Sequence, residues 1–236
     1  MIAGRRLRRN STGRPEKNEN SQEMKLYSYW RSTTSYRVRA TLNLKGLAYD
    51  TVPVDLVAGD QRAQDYVTLN AGKGVPTLVL DDGTVLTQSM AILEYIDATW
   101  PAPQLIPSDP LMRAQVMAVA HTVAMDIHPV NNLRLISQLK SRFGATPEQA
   151  KDWMCHWMEE GFTALEAMLP DGDSFAFDDA PNIADICITA QVYNAHRWGV
   201  DLKKFPKTAR IERHCLTVPA IALAHPDKQP DAKVDT

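Results

Sequence analysis

Four consecutive hydroxyl residues, Ser32-Thr33-Thr34-Ser35, follow Arg31 directly and precede two more arginines, at positions 37 and 39. The surrounding periodicity predicts that this run joins a short strand to a helix. Hydroxyl groups and backbone amides at a helix N-terminus stabilise an anion, and that anion would be a thiolate if the ligand were a thiol peptide. The same residues would also make an ordinary helix cap beside a basic, solvated face, and their types alone do not decide between the two interpretations.

Two shorter motifs could complete a peptide-binding site. Val75-Pro76-Thr77 places a proline directly before a predicted strand, where a cis peptide bond would turn the backbone groups of Val75 outward to pair with an extended peptide. Gln88-Ser89 begins a predicted helix, whose unpaired amides and positive dipole end suit a carboxylate. Taken alone, Ser89 is more simply interpreted as a helix cap.

The cysteines and histidines do not indicate metal chemistry. Cys155, Cys187 and Cys215 are widely separated, odd in number and outside any C-x-x-C or zinc-type spacing, which is typical of a protein from a reducing cytoplasm. His121 and His128 stand seven residues apart in a helical stretch, as expected for one surface histidine and one hydrogen-bonded histidine. We therefore predict no metal site.

These motifs lie between elements that alternate in the order β-α-β-α-β-β-α. The strands are predicted at Lys25–Tyr29, Asp50–Val54, Thr77–Leu80 and Val85–Thr87. The helices are predicted at Ser35–Lys45, Gln61–Leu69 and Gln88–Thr99. The first part of the chain is therefore a small α/β unit.

The second part shows helical periodicity over three long stretches, Leu111–Phe143, Pro147–Leu169 and Asn182–Trp198. A proline-rich stretch, 101–110, separates the two parts because it cannot continue a helix or a sheet ladder. Asn182 and Asp185 are spaced as a reciprocal helix cap. The pattern predicts a separate all-α unit.

Composition limits the possible partners. The 236 residues are 44% hydrophobic and 23% charged, with a formal net charge of −2, which gives no extended basic surface for nucleic acid. No apolar run approaches the about 18 residues of a membrane span, so we expect a soluble protein. Residues 1–23 carry six basic and three acidic side chains and few large apolar ones, and we predict a disordered tail. A transit peptide is the alternative, but the amphipathic periodicity it needs is missing.

Several separated motifs together resemble one known family. The segment Tyr27–Arg39 looks like the signature YSYFRSSCSWRVR of zeta-class glutathione transferases, with Thr34 where the signature has cysteine. The resemblance continues through Asp126–Arg134, Ala184–Leu202 and His225–Asp231. It covers the chain from about Met24 to Asp231, in the family's order.

The resemblance implies the fold class α/β plus all-α, a thioredoxin-like N-terminal domain followed by a helical C-terminal domain. The implied boundaries are a disordered basic tail at 1–23, a glutathione-binding domain at 24–101, a linker at 102–110, a helical substrate domain at 111–231 and a C-terminal tail at 232–236. It further implies glutathione as cofactor, a homodimer, a maleyl dicarboxylate as substrate, and no nucleic-acid or membrane partner. We expect the protein to be cytoplasmic.

The family's functional residues carry over position by position. The positions that match glutathione contacts are Ser32, Thr33, Thr34, Gln61, Val75, Gln88, Ser89, His128 and Asn132. The residues expected to bind substrate are Arg31, Arg197 and, adjacent to matched positions, Arg134. Ser32, Thr34 and Arg197 form the expected catalytic set, with Ser32 holding the sulfur and Arg197 serving as a buried clamp for a substrate carboxylate.

The implied reaction is the glutathione-dependent cis–trans isomerisation of maleylacetoacetate to fumarylacetoacetate, as in the catabolism of aromatic amino acids. Maleylpyruvate isomerisation is the close alternative: Thr34 resembles the WRSGTS loop of those enzymes, whereas Leu133 stands where they tend to have arginine. General glutathione transfer or the dehalogenation of small α-haloacids would use the same thiolate. A non-catalytic interaction module is the alternative outside enzymes, and it would need neither Ser32 nor Arg197.

Overall fold

The computed structural model describes residues 24–172 and 174–233. The predicted disordered tail at 1–23 and the end of the predicted C-terminal tail lie outside the described residues. Among the helices of the described ranges, none is both long enough and apolar enough to cross a membrane.

A four-stranded mixed sheet forms the first half of the molecule. Its strands are β1 Lys25–Ser28, β2 Asp50–Pro53, β3 Thr77–Val79 and β4 Val85–Thr87, in the spatial order β2-β1-β3-β4. β1 pairs in parallel with β2 and antiparallel with β3, and β3 pairs antiparallel with β4. The three helices of this half are α1 Thr33–Leu44, α2 Gln64–Leu69 and α3 Ser89–Thr99, with a short 3₁₀ turn at Asp60–Arg62 before α2. The predicted β-α-β-α-β-β-α order is confirmed.

The described elements from Pro110 onwards are all helical. They are α4 Pro110–His121, a π-helical segment Thr122–Ile127, α5 His128–Val130, α6 Leu133–Phe143, α7 Pro147–Met168, α8 Ile183–Trp198, α9 Pro206–Cys215 and α10 Pro219–Leu223, with 3₁₀ turns at Leu202–Lys204 and Pro226–Lys228. The predicted helical character of 111–143 is confirmed, and the stretch is divided into several helical segments. Pro129 lacks an amide hydrogen, the backbone leaves helical geometry at Asn131, and Asn132 caps a new helix by accepting from Leu135 N at 2.9 Å.

Helix α8 forms the centre of the helical half and is buried from Ile183 to Ala195. It packs against α1 of the first half and against α4 and α9 of the second. The predicted cap at its start is confirmed: Asn182 Oδ1 accepts from Ala184 N at 2.8 Å, and Asp185 Oδ2 accepts from Asn182 N at 2.9 Å. A well-capped, buried helix gives its exposed C-terminal turn a fixed position.

Helix α1 carries two arginines into the interior. The Arg39 guanidinium donates to Ser28 Oγ at 2.9 Å, to Trp30 O at 3.1 Å and, through Nε, to Ala224 O at 3.0 Å. Burial lowers its pKa to about 10, which still leaves it charged at neutral pH. The interpretation of this helix as a basic, solvated face is wrong, because Arg37 and Arg39 are both fully buried.

Candidate active site

A cavity of about 610 Å³ opens between the two halves of the molecule. Trp30 and Arg31, from the loop after β1, form one wall, and Tyr193 and Arg197, on α8, form the opposite wall. Lys233, from the C-terminal segment, lines the same cavity. A ligand in this space would therefore contact both halves at once.

The hydroxyl run forms a directed chain of hydrogen bonds at the start of α1. Ser32 is the N-cap residue, and its Oγ accepts from Ser35 N at 3.1 Å. Thr34 Oγ1 donates to Val75 O at 2.9 Å and lies 2.8 Å from Ser32 Oγ. Because the single proton of Thr34 is given to Val75, Ser32 must be the donor in the second pair. Ser32 thus donates its proton to a neighbouring hydroxyl, and rotation of the Ser32 hydroxyl group would let it donate to a stronger acceptor instead.

The Val75–Pro76 peptide bond is cis, as the sequence predicted. Val75 lies between α2 and β3, with its carbonyl oxygen directed to Thr34. A carbonyl oxygen has two lone pairs, so this bond leaves acceptor capacity for a ligand. The predicted peptide-pairing residue and the predicted anion-binding loop therefore lie side by side.

Ser89 has a different role from the simple cap considered above. The N-cap residue of α3 is Gln88, which has a positive φ of 69° and makes no side-chain capping bond. Ser89 is buried, and its Oγ accepts from Arg37 Nη1 at 3.3 Å. The N-terminus of α3 therefore has a buried guanidinium behind it, and both favour a bound carboxylate.

His128 connects the helical half to the hydroxyl run. Its Nδ1 lies 3.2 Å from Thr33 Oγ1. Burial, with a contribution from the nearby Arg37 charge, lowers the pKa of His128 to about 3, so the ring is neutral at physiological pH. Of the pair His121 and His128, His128 therefore fits the expected hydrogen-bonded histidine. Its ring can serve a ligand as a neutral hydrogen-bond partner.

Three predicted residues lie apart from this network. Gln61 is buried; its Nε2 contacts Leu56 O at 3.4 Å, and its Oε1 has no hydrogen-bond partner among the described residues. Asn132 uses both ends of its side chain locally, accepting from Leu135 N and donating to Pro129 O. Arg134 is exposed on α6. None of the hydrogen bonds described here for these three side chains reaches the hydroxyl run, so their predicted roles stay predictions.

The cationic wall is more open than the sequence suggested. Arg197 is exposed, with Nη1 donating to Asn194 Oδ1 at 3.2 Å and the guanidinium 6.0 Å from the ring centre of Tyr193. The expectation of a buried clamp is therefore wrong in its burial, because Arg197 lies in the exposed last turn of α8. The Arg31 guanidinium stacks on Trp30, 4.4 Å from the ring centre.

Sequence reasoning missed several cavity residues. Tyr193 and His196 fall inside a recognised motif but had no local signal of their own, and Lys233 was placed in a tail. The signal for Tyr193 is helical spacing: it precedes Arg197 by four residues and therefore shares its face of α8. No pattern in the sequence marks Lys233, and only the three-dimensional structure shows that it lines the cavity.

Comparison with known proteins agrees with this architecture. Residues 22–98 match the family described as Glutathione S-transferase, N-terminal domain. The chain is 42% identical over 210 residues to the maleylacetoacetate isomerase of Pseudomonas aeruginosa, a match that covers 88% of this chain and 98% of that protein. It also superposes on a maleylpyruvate isomerase described as a bacterial zeta-class glutathione S-transferase, with a TM-score of 0.86, 37% identity and coverage of 89% of this chain and 100% of that one. This chain belongs to the zeta class of the glutathione transferase family.

The predicted glutathione transferase fold is confirmed by these matches. A second solved relative of this transferase is the maleylacetoacetate isomerase of Methylobacterium extorquens, determined with bound malonate and glutathione. It has a TM-score of 0.85 and 36% identity, and covers 89% of this chain and 100% of that one. That relative holds a thiol peptide and a small dicarboxylate together.

Proposed function

We propose that this protein is a glutathione-dependent isomerase that converts maleylacetoacetate to fumarylacetoacetate. The observation that carries the proposal is the Ser32–Thr34–Val75 hydrogen-bond chain at the N-terminus of α1, placed beside a cavity whose walls hold Arg31 and Arg197. The first element suits a thiolate, and the second suits a dicarboxylate. The isomerisation needs both.

The glutathione sulfur would bind at Ser32. A free thiol with a pKa of about 8.5 is only a few per cent ionised at pH 7. The Ser32 proton, now shared with Thr34, can turn to a thiolate, and the N-terminus of the twelve-residue helix α1 adds its positive dipole end. Both effects favour the ionised form. The rest of the peptide would pair with Val75 and direct its γ-glutamyl carboxylate to Ser89.

Isomerisation requires brief loss of the carbon–carbon double bond. The thiolate adds to the double-bond carbon β to the ketone, which bears the carboxylate, and the electron pair of the double bond moves through the α carbon onto the ketone oxygen to give an enolate. The former double bond is now single and rotates. Return of the electrons expels the thiolate and leaves the trans product, with no net change in protons or oxidation state. Arg197 would hold a substrate carboxylate and stabilise the enolate charge as it forms.

Maleylpyruvate isomerisation is the second candidate. It is favoured by the close superposition on a maleylpyruvate isomerase and by Thr34 at the cysteine position. Leu133, whose side chain is exposed at the start of α6, supports maleylacetoacetate instead, because the alternative tends to have a second arginine there. The two substrates differ by one methylene group, so a shared mechanism is expected and only the fit of the far end differs.

We also propose that the protein works as a homodimer in the cytoplasm. The proposal of a homodimer rests on the family resemblance, in which two copies pair about a two-fold axis. Light scattering at micromolar concentration tests it: a dimer mass is expected, and a monomer mass would contradict it.

The test of the function is a pair of absorbance assays. Loss of maleylacetoacetate absorbance should require glutathione and should exceed the rate with maleylpyruvate. Ser32→Ala should abolish most of the activity, whereas the exposed Ser137→Ala on α6 should keep it. Activity without glutathione, or no activity with either diacid, would refute the proposal. A faster reaction with maleylpyruvate would select the second candidate.

A further inference from the structure

The C-terminal segment 231–233 lies against the loop that carries the hydroxyl run. Trp30 N donates to Asp231 Oδ2 at 3.0 Å across 201 positions of sequence. Two residues later, Lys233 Nζ lies 2.8 Å from Asp55 Oδ2. Asp55 follows β2, which runs parallel to β1, so the loops after both strands leave the same edge of the sheet. Two contacts therefore hold the segment against the first half, and its residues Ala232 and Lys233 line the cavity.

Lys233 adds a third cation to the cavity. Arg31, Arg197 and Lys233 all line it, whereas Asp227 is the carboxylate among its described lining residues. Burial and the nearby Asp55 raise the pKa of Tyr29, and the charges of Arg31, Lys233 and Arg197 offset part of that rise. All three cations therefore lie within electrostatic range of the same phenol. The excess of positive charge suits a ligand with two negative ends.

The partner that holds Lys233 can release it easily. The pair is open to solvent, with 71% of the Lys233 side chain exposed, and such pairs contribute little to stability. Asp55 keeps two other hydrogen bonds, since its Oδ1 accepts from Val57 N at 2.9 Å and from Ala58 N at 3.2 Å. A lysine side chain is long and flexible and can follow a ligand carboxylate. Nothing buried is left without a partner when the pair opens.

We propose that Lys233 is a specificity-determining residue, whose ammonium leaves Asp55 and binds one of the two substrate carboxylates. The inference rests on the proposed function, since it takes the substrate to be an open-chain diacid. Arg31 and Arg197 line the cavity from the two halves, and Lys233 reaches the same cavity from the C-terminal segment 231–233. This additional cation would then favour diacids over monoacids of equal length.

The test uses ligands that cannot react. Suberate is a saturated diacid with the same eight carbons as maleylacetoacetate, and octanoate is the monoacid of equal length. Binding of each to the glutathione-saturated protein is measured by calorimetry. We expect the native protein to bind suberate more tightly than octanoate. Lys233→Met should weaken suberate binding by about tenfold, the effect of one charge-assisted hydrogen bond, and should leave octanoate binding unchanged.

Two further variants separate this role from a structural one. Lys228→Met removes an exposed lysine of the 3₁₀ turn that precedes this segment; Lys228 does not line the cavity, so the change should leave both affinities unchanged. Asp55→Asn removes the partner and keeps the ammonium, so suberate should bind as well as before or better. If Asp55→Asn and Lys233→Met weaken suberate equally, the pair is only a structural contact and the inference is wrong.

Other results also overturn the inference: a native protein that binds suberate and octanoate equally, or a Lys233→Met variant with unchanged suberate binding. These measurements need no turnover. A native protein that binds suberate through Lys233 but isomerises no maleyl diacid would refute the proposed function and not the binding role of Lys233.

Discussion

Replacing Arg197 by alanine should separate substrate recognition from thiol activation. Arg197 lines the cavity from α8, whereas Ser32 caps α1 in the first half and directly follows the lining residue Arg31. Arg197→Ala should therefore lower kcat/KM for maleylacetoacetate and leave glutathione conjugation of an uncharged electrophile, such as 1-chloro-2,4-dinitrobenzene, nearly unchanged. Both reactions use the same thiolate. The ratio of the two losses in kcat/KM therefore measures what Arg197 contributes to binding the carboxylate and stabilising the enolate.

The expected loss in kcat/KM for Arg197→Ala follows from the exposure of the Arg197 side chain. Removal of one preorganised charge-stabilising donor costs about 2 to 4 kcal/mol in the transition state. Arg197 is exposed to solvent and is oriented by a bond to Asn194 of 3.2 Å, so we expect the lower end, about 2 kcal/mol or about thirtyfold in kcat/KM. Arg197→Lys should recover part of the loss, because it restores the charge without the planar fork.

The assay compares steady-state kinetics for both substrates at saturating glutathione. Arg213→Ala, which removes an exposed arginine on α9, is the matched control and should behave as the native protein. An equal loss on the uncharged electrophile would show that Arg197 serves glutathione or the fold. The assignment of Arg197 to the substrate would then be wrong.

Three further predictions concern residues of the site, and a fourth concerns the N-terminal residues. Ser32→Ala should slow maleylacetoacetate and the uncharged electrophile alike, since both need the thiolate; a loss confined to one, in the same kinetic assay, would contradict this. Thr34→Val should raise the KM for glutathione about fivefold, the effect of one hydrogen bond, because it removes the link from Ser32 to Val75; an unchanged KM would show that the link does not support binding. The folded pKa of His128 is about 3, below the unfolded value of about 6.5, so the unfolded chain takes up a proton first as pH falls and stability is lost from pH 6.5 downwards. Urea unfolding should show a loss of about 2 kcal/mol between pH 7 and pH 5 from this group, and His128→Gln should reduce that slope; an unaltered slope would refute it. Deleting residues 1–22, a predicted disordered tail, should leave Tm unchanged in a thermal scan, and a drop of several degrees would show that the tail packs on the fold.

The sequence predicted what local chemistry determines. The strand Val85–Thr87 has the predicted bounds, and the cis peptide before Pro76 and the cap at Asn182 are both present. Each depends on residues close in sequence: alternating apolar positions, a proline before a strand, or a polar residue ahead of a buried helix. The hydroxyl run was also located correctly, because a helix N-terminus is itself a local feature.

What the sequence did not predict depends on distant partners. Arg37 and Arg39 looked like solvated surface residues because arginine is rarely fully buried. Arg39 can be buried here because its guanidinium donates to Ala224 O, 185 positions away in sequence, as well as to acceptors closer in sequence. Lys233 had no local pattern and reaches the cavity only because Asp231 accepts from Trp30 N. Neither contact produces a periodic pattern in the sequence.

The break within 111–143 was missed for another reason. The apolar spacing continues across it, and Pro129 alone often only kinks a helix. Here a π-helical turn precedes the proline, and Asn131 and Asn132 follow it, so the backbone leaves the helix and a new one begins. The break places His128 against Thr33, so it positions a predicted site residue.

The measurement that tests the central claim most directly is the ionisation of bound glutathione. The claim is that Ser32 and the N-terminus of α1 stabilise its thiolate. Ultraviolet absorbance of the thiolate, recorded against pH for the protein–glutathione complex, should give a thiol pKa clearly below the free value of about 8.5. Ser32→Ala should return it towards that value, whereas Ser137→Ala should not. A bound thiol with the pKa of free glutathione in the native protein would contradict the account.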